Sequence, residues 1–549
     1  MNIHIVNGVI AAPISIDIRS GQLLRRLEGR RVWRKDGTFQ FEATPNNIEG
    51  FRQIYPEAKI SGGREDALRP PPTPIGDRRV GPSLIKPFAH QTRALAAARQ
   101  HSVFALFMEQ GTGKTRVAID RAVGLWAEGS IDAVLVVTKK GVHTQWIVDE
   151  IPKHMAADVK FDAAFWDKKK TLPEIMIKNA SSRLKIFAIN VDALISSNGF
   201  NAALRFLMAH EKRLLMIVDE SQIIKNNKAK RTEACYKLGA LASHRMILTG
   251  TPIAKDLTDE WSQFKFLDEA IIGFRYLTAF RNYYCVMGGF EGRQIIGTRN
   301  LDEFKRKVDP YSFRVTKEEE LDLPPKQYAQ QVFEMDDEQR KHYNALRDNF
   351  ITQLDNGEIS NVTHAATLMM RLQQITCGIL PSSDSDDHQL LPNPRLRALE
   401  ELIEARPGKT VVWARFNHDI IEIAKLLGDK CVTYYGATTT KEREEAKRLF
   451  LDPKSGIDYF VSNPAAGGTG LNLQGECRTV VFYSNSFSAI DRWQAEDRTH
   501  RIGTNQTITY FDLVCAGSPD RKILANLRRK KSLSDLALGD IKEMIAHDI

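Results

Sequence analysis

The sequence predicts an α/β protein with two parallel-sheet lobes, a helical insert between them and a small β-rich module at the N-terminus. Three observations carry that expectation. Between Val103 and about Leu267, short β-rich runs alternate with helical patterns in the order VFALFM, AVLVVT, LKIFAIN, LLMIVDE and RMILTG, the rhythm of a parallel sheet with crossover helices. The rhythm returns in the second half with TVVWA, CVTYY, DYFVS, TVVFY and TITYFDLV. Finally, 549 residues exceed what one hydrophobic core usually serves.

The N-terminal module comes first. Apolar runs from Ile3 to Ile16 flank Asn7-Gly8, and those from Val32 to Phe41 flank Asp36-Gly37; both dipeptides favour hairpin turns. A helix is expected over 47–55. Arg69-Pro70-Pro71-Pro72-Thr73-Pro74 can continue neither a helix nor a central strand and reads as a linker, so the module spans 1–78. The first lobe then covers 79–269. A polar stretch with little strand signal makes 270–392 the helical insert, the second lobe covers 393–518, and 519–549 is a helical tail opening on the basic cluster RKILANLRRKK.

Composition narrows the class. A hydrophobic share of 42% with 26% charged residues is that of a globular protein, neither disordered nor fibrous. The net charge of +9 favours a polyanionic partner, although basic enzymes of this size share it. Six cysteines (Cys235, Cys285, Cys377, Cys431, Cys477, Cys515) form no CxxC pair, which argues against zinc and against a disulfide framework. The start lacks a basic region followed by an apolar run, and no later run approaches membrane-spanning length. A cytoplasmic or nuclear protein with no membrane partner is therefore expected.

The chemistry starts at MEQGTGKT, which follows the strand VFALFM and opens the helix TRVAIDRAV. That is the context a phosphate-binding loop requires. Gly111, Thr112 and Gly113 let backbone N–H groups wrap a phosphate, Lys114 reaches its outer oxygens, and Thr115 can ligate Mg²⁺. Met108 stands where the full pattern has its first glycine. Downstream, LLMIVDESQ delivers Asp219 and Glu220 at a strand's C-terminal end, where parallel-sheet enzymes place their chemistry. Asp219 would hold the Mg²⁺ shell, and Glu220 would orient and deprotonate an attacking water.

In order, these and further segments resemble the Swi/Snf-related branch of the superfamily 2 helicase-like ATPases, over roughly Lys86 to Gly503. KPFAHQTRAL resembles the adenine-reading Q motif through Gln91, and MEQGTGKT, VLVVTKKGVHTQW, DESQIIKN and LTGTP resemble motifs I, Ia, II and III. LDLPPK and RLQQITCG look like segments that mark the branch. VVWARF resembles motif IV, YYGATT the strand end after it, AAGGTGLNL motif V and QAEDRTHRIG motif VI. The resemblance implies two RecA-like P-loop lobes with ATP and Mg²⁺ as cofactors, and implies Gly470, Arg498 and Arg501 as nucleotide-facing residues, with the arginines acting as fingers. Their three-residue spacing puts both arginines on one helical face. Gln222, Thr249, Thr251 and Gln494 match positions that couple the nucleotide to the lobes. Departures are Gln222 where many relatives have His, Thr504 where RIGQ is usual, and YSNSFSAIDRW without the common Trp-Asn-Pro.

The resemblance also implies DNA as partner, duplex or branched and sequence-nonspecific, contacted through its backbone by Thr138, Lys139, Lys140, Arg415, Thr438 and Thr469. In the N-terminal module Arg30, Arg31, Trp33, Arg34 and Lys35 add a basic group with one aromatic, able to hold phosphate and stack on a base. The expected activity is an ATP-driven translocase that moves along duplex DNA and remodels protein–DNA or branched DNA structures. A strand-separating helicase on DNA or RNA, and an ATP-gated nucleic-acid clamp, are the alternatives. The LPPK segment favours translocase over generic helicase, and intact Lys114, Glu220, Arg498 and Arg501 argue against an inactive clamp. The lack of an added zinc finger, bromodomain-sized extension or nuclease motif favours bacterial or viral DNA processing over a chromatin role.

Overall fold

The computed structural model describes residues 85–528 apart from 178–181, 211–212, 253–256, 289–293, 322, 357, 359–361, 381–388, 465–470, 472, 476, 502–503 and 505, together with Met544 and, for the backbone alone, five strands before residue 62. The chain divides into two units, Met1–Glu320 and Leu321–Ile549.

In the first unit a seven-stranded sheet runs in the order Ser312–Val315, Val103–Met108, His244–Leu248, Leu214–Asp219, Ala133–Thr138, Leu184–Asn190, Phe161–Phe165. Every adjacent pair is parallel. The strands Val103–Met108, Ala133–Thr138 and Leu214–Asp219 are buried at every position. Helices cover both faces of a parallel sheet, so its central strands read as unbroken apolar runs without alternation. Val103, Ala105 and Phe107 join one core with Phe206, Leu238 and Phe264. Phe104, Leu106 and Met108 face the other, with Ala118, Leu125 and Trp146. Each such large side chain contributes about 1.5–3 kcal/mol relative to exposure.

The second unit repeats this plan with six strands in the order Lys326–Phe333, Ile508–Cys515, Thr479–Phe482, Thr410–Trp413, Tyr459–Ser462, Cys431–Tyr434, again all parallel. Val411 and Trp413 pack on one face and Val412 and Ala414 on the other. The helix Asp520–Arg528 buries Ile523, Leu524 and Leu527, so the start of the expected basic tail is amphipathic and packed.

The expected α/β class with two parallel-sheet lobes is observed, and all ten strands read from sequence are present. The expected insert is corrected. Within 270–392, Ser312–Val315 pairs with the strand Val103–Met108, and Lys326–Phe333 pairs along its whole length with Ile508–Cys515. The stretch is thus shared between the two sheets, and the chain passes from one to the other at Glu320–Leu321. Sequence pattern missed Lys326–Phe333 because it is a sheet-edge strand that stays wet: half of KQYAQQVF is polar, and only part of each side chain is covered.

Ahead of residue 62, Asn2–Val6 pairs antiparallel with Val9–Pro13, and Val32–Trp33 with Thr38–Glu42, where the two hairpin signals put them. Lys59–Ser61 adds a parallel edge to complete five strands. Arg30, Arg31, Arg34, Lys35, the side chain of Trp33, the 47–55 helix, the proline segment, Thr469, Gly470 and the tail beyond Arg528 (Met544 excepted) lie outside the described residues.

Candidate nucleotide site

Strand register assembles the first site. Asp219 stands opposite Leu248, and Leu248 opposite Leu106, so the acidic pair and the start of the glycine loop share the C-terminal edge of one sheet, one strand apart. Gly111 and Gly113 adopt φ of 82° and 91°, a region that side-chain-bearing residues rarely enter. Gly113 also meets a close neighbour: a Cβ there would lie 2.2 Å from Gln91 Nε2. The helix Lys114–Ala127 begins directly after it.

Lys114 is almost fully buried, and its ammonium donates to the Met108 carbonyl at 2.8 Å and the Glu109 carbonyl at 3.4 Å. The residue replacing the pattern's first glycine thus contributes through its backbone, which any residue type supplies. Gln91 accepts from Phe88 N–H at 3.1 Å and donates to the Thr112 carbonyl at 3.0 Å. His90 Nε2 lies 2.8 Å from the same carbonyl. The loop is therefore braced by the helix Ala89–Arg99. Thr115 is half-buried in the first turn after it.

Asp219 has each carboxylate oxygen occupied by one donor: Trp146 Nε1 reaches Oδ2 at 2.8 Å, and the Glu220 N–H reaches Oδ1 at 2.9 Å. Burial, followed by the adjacent Glu220 charge, pushes its pKa above the usual carboxylate range, against the pull of Trp146 and Lys114. Glu220 sits at φ 53°, ψ 53°, left-handed backbone unusual outside glycine and common where function holds strain. Its carboxylate accepts from Gln222 Nε2 at 2.6 Å and Gln110 Nε2 at 3.4 Å. Gln222 Oε1 in turn accepts from Thr249 Oγ1 at 2.8 Å, and Thr249 Oγ1 accepts from the Thr251 N–H at 3.0 Å. Gln222, Thr249 and Thr251 are thus brought together on Glu220. The ammonium, the N–H-rich loop, and a buried carboxylate beside a second one fit a nucleotide polyphosphate with its Mg²⁺.

Other sequence expectations fare differently. Thr138 is fully enclosed with a hydroxyl that has no partner among the described residues, so it presents nothing to a phosphate, because the strand buries its last residue. Lys139 is half-buried and Lys140 exposed in the turn that follows. Arg415 lies 4.0 Å over the Phe487 ring and donates to Gln373 Oε1 at 2.8 Å, and burial lowers its pKa to about 10. Its guanidinium therefore ties RLQQITCG to the second sheet. The Thr438 hydroxyl closes a turn on the Tyr435 carbonyl at 2.8 Å.

Motif VI is corrected as well. The helix Ala489–Glu496, which buries Gln494, ends before either arginine. Thr504 Oγ1 donates to the Thr499 carbonyl at 2.8 Å and accepts from the Arg501 N–H at 3.2 Å, side-chain bonds that replace helical ones. Arg498 is buried, donating to the carbonyls of Gln494 at 2.9 Å and Leu471 at 3.2 Å. Arg501 is half-exposed. The two do not share a helical face.

Sequence reasoning missed Trp146, His90 and Gln110. Trp146 ends the segment read as motif Ia, but nothing in its spacing signalled a hydrogen bond to Asp219. It also missed how LDLPPK is anchored: Lys326 Nζ lies 2.9 Å from Glu496 Oε2, and His500 Nε2 lies 2.8 Å from the Pro324 carbonyl. The marker segment is thus fastened to the motif VI helix. Among the described residues no helix is long and apolar enough to cross a membrane.

Comparison with known proteins agrees with these motifs. The SNF2-related domain matches residues 52–379, and the helicase conserved C-terminal domain matches 394–503. The TATA-binding protein-associated factor MOT1 of Saccharomyces cerevisiae is 25% identical over 59% of this chain and 20% of its own length. The uncharacterized ATP-dependent helicase MG018 of Mycoplasma genitalium is 23% identical over 65% of this chain and 33% of its own. The chain thus spans a fifth to a third of these curated relatives. A solved SWI2/SNF2 ATPase core of Sulfolobus solfataricus in complex with dsDNA is 21% identical, with 87% of this chain and 100% of that one covered at a TM-score of 0.38; the fold rests on the two parallel sheets and not on that superposition. With the SNF2-related match covering more than half of its length, this chain belongs to the SNF2-related family of helicase-like ATPases.

Proposed function

We propose that this chain hydrolyses ATP at the Lys114–Asp219–Glu220 site and uses the cycle to move along duplex DNA without obligatory strand separation. The observation that carries the reading is the Glu220 carboxylate, held in left-handed backbone beside Asp219 and hydrogen-bonded by Gln222. Lys114 exchanges two backbone carbonyls for phosphate oxygens, a charge-assisted contact stronger than the one it leaves. Asp219 and Thr115 would hold Mg²⁺, which when bound would supply positive charge to the phosphate oxygens. Glu220 takes the proton of the attacking water, and Gln222 keeps its carboxylate aimed.

Duplex DNA as the track is supported by family membership, by the net charge of +9 and by the exposed Lys140 at a strand end. Contacts confined to phosphates give affinity without sequence choice. The basic group of the N-terminal module is assigned to substrate preference. The test combines ATPase rates on duplex, single-stranded and forked DNA and on RNA with two motor assays: triplex-strand displacement and unwinding of a tailed duplex. Duplex-stimulated hydrolysis with triplex displacement is expected. Lys114→Ala should lose hydrolysis, and Glu220→Gln should bind ATP without turning it over. Efficient unwinding of the tailed duplex with no triplex displacement would replace this reading with the strand-separating one.

A further inference from the structure

We propose that Trp146 is a positioning residue for Asp219, and that its helix ties this carboxylate to the Lys139–Gly141 loop, exposed at Lys140 and Gly141. The inference rests on the ATP-hydrolase reading, in which Asp219 faces Mg²⁺. An indole N–H can only donate, and this one is buried with its acceptor, 2.8 Å from Asp219 Oδ2. The other oxygen takes the Glu220 N–H at 2.9 Å. With one fixed donor on each oxygen, the carboxylate plane cannot rotate, while each oxygen keeps a lone pair for a cation.

Packing alone does not require this partner. Trp261 donates instead to the Phe274 carbonyl at 2.9 Å, and buried Trp413 Nε1 has no partner among the described residues. The fold thus leaves an indole on a neutral carbonyl, or on nothing, where only volume matters. The backbone beneath Trp146 is also unusual. Between the α-helical turns Val142–Gln145 and Ile151–His154, residues Trp146–Glu150 form a π-helical turn. Single π turns inside α-helices occur frequently at functional sites. The same short helix begins at Gly141, at the end of the exposed loop, so displacement of that loop is passed through about one turn to the indole.

Outer partners of metal ligands typically change metal affinity by about 10–100-fold when removed. The test is equilibrium binding of a fluorescent ATP analogue at rising Mg²⁺. Trp146→Phe, which removes the N–H but keeps an aromatic ring, should raise the Mg²⁺ midpoint by about 10–100-fold and leave Mg²⁺-free nucleotide affinity as in wild type. In an Asp219→Ala background the same change should produce no further shift, because the residue acts through that carboxylate. Duplex DNA should lower the Mg²⁺ midpoint of wild type and not that of Trp146→Phe. Should the variant fold poorly, the wild-type chain answers: at least one of the indole N–H resonances from its seven tryptophans should move when Mg²⁺ is added to the nucleotide complex. A wild-type Mg²⁺ midpoint in Trp146→Phe, an additive shift in the double variant, or no responding indole would overturn the assignment; a midpoint in wild type indifferent to DNA would overturn the tie to the loop. A wild-type chain that neither binds nor hydrolyses ATP would instead refute the underlying function.

Discussion

The Gln222 side-chain amide donates to Glu220 Oε2 at 2.6 Å, and its oxygen accepts from Thr249 at 2.8 Å. One amide thus joins the acidic strand end to the segment after the strand His244–Leu248. A histidine here would carry a charge that depends on pH, whereas an amide donates at every pH. Gln222→Ala should leave ATP binding intact and lower kcat by roughly tenfold, about 1.4 kcal/mol of barrier. Gln222→Glu should lose more, since it sets a like charge against Glu220. Gln222→His should restore turnover while adding a pH-dependent limb near about 6.5. Steady-state ATPase across pH measures all three; an unchanged kcat in Gln222→Ala would remove Gln222 from the site.

Gly113 joins positive φ to close contact. Gly113→Ala would carry backbone strain of about 1–3 kcal/mol and drive a methyl into Gln91 Nε2, 2.2 Å from the ideal Cβ. ATP affinity should fall by at least tenfold. Adding Gln91→Ala should recover only part of the loss, because it removes the collision and leaves the strained φ. Titration of the two variants with nucleotide decides it; full recovery would show that φ is not the obstacle.

Much of this was legible in the sequence, for physical reasons that also explain the failures. Runs such as AVLVVT and LLMIVD announce themselves because both faces are covered. Phe161–Phe165 and Lys326–Phe333 stand at sheet edges, only partly covered, and carry no such run. The glycine loop and acidic pair were readable from residue type and order. Trp146 was not, since a π-helical turn leaves no mark in spacing. Gln222, Thr249 and Thr251 were identifiable as positions, but only coordinates reveal the chain of bonds that joins them. Spacing misplaced Arg498 because it assumes that the helix continues, and threonine side chains end it.

Asp419 gives the second unit a pH signature. It is buried, accepting from Ser484 Oγ at 3.0 Å, and desolvation raises its pKa from 3.8 to about 7. The folded state therefore binds this proton more tightly than the unfolded state does. The resulting stabilisation is present below the unfolded value and is lost as pH rises through about 7. Asp419→Asn has no such charge to desolvate. Thermal melting between pH 5 and 8 should show the variant gaining on wild type as pH rises, by up to about 3 kcal/mol across that window if the whole shift is expressed. Parallel curves would mean that Asp419 is already relieved of its charge penalty.

Arg498 and Arg501 were expected to act alike, and the structure separates them. The Arg498 guanidinium is buried on the carbonyls of Gln494 and Leu471, joining the helix Ala489–Glu496 to the segment before Leu473, whose own N–H donates to the Arg498 carbonyl at 2.9 Å. Removing it would leave buried carbonyls without a donor, at about 1–3 kcal/mol each. Arg501 is half-exposed, so truncating it strands less buried polar surface. If a cation from this motif stabilises charge on the transferring phosphate, the effect belongs to turnover, and related fingers are worth about 10³–10⁵ in rate. Arg501→Ala should therefore melt within a degree or so of wild type and bind ATP, yet lose at least about 10³ in duplex-stimulated kcat. Arg498→Ala should lower the melting temperature of the second unit as well as the rate. Arg501→Lys keeps the charge without the planar fork and should recover only a small part. Melting curves paired with single-turnover rates separate the two roles. Near-wild-type kcat in Arg501→Ala, with the whole rate loss in Arg498→Ala, would reassign the phosphate-facing role to Arg498 and require its guanidinium to leave those two carbonyls during the cycle.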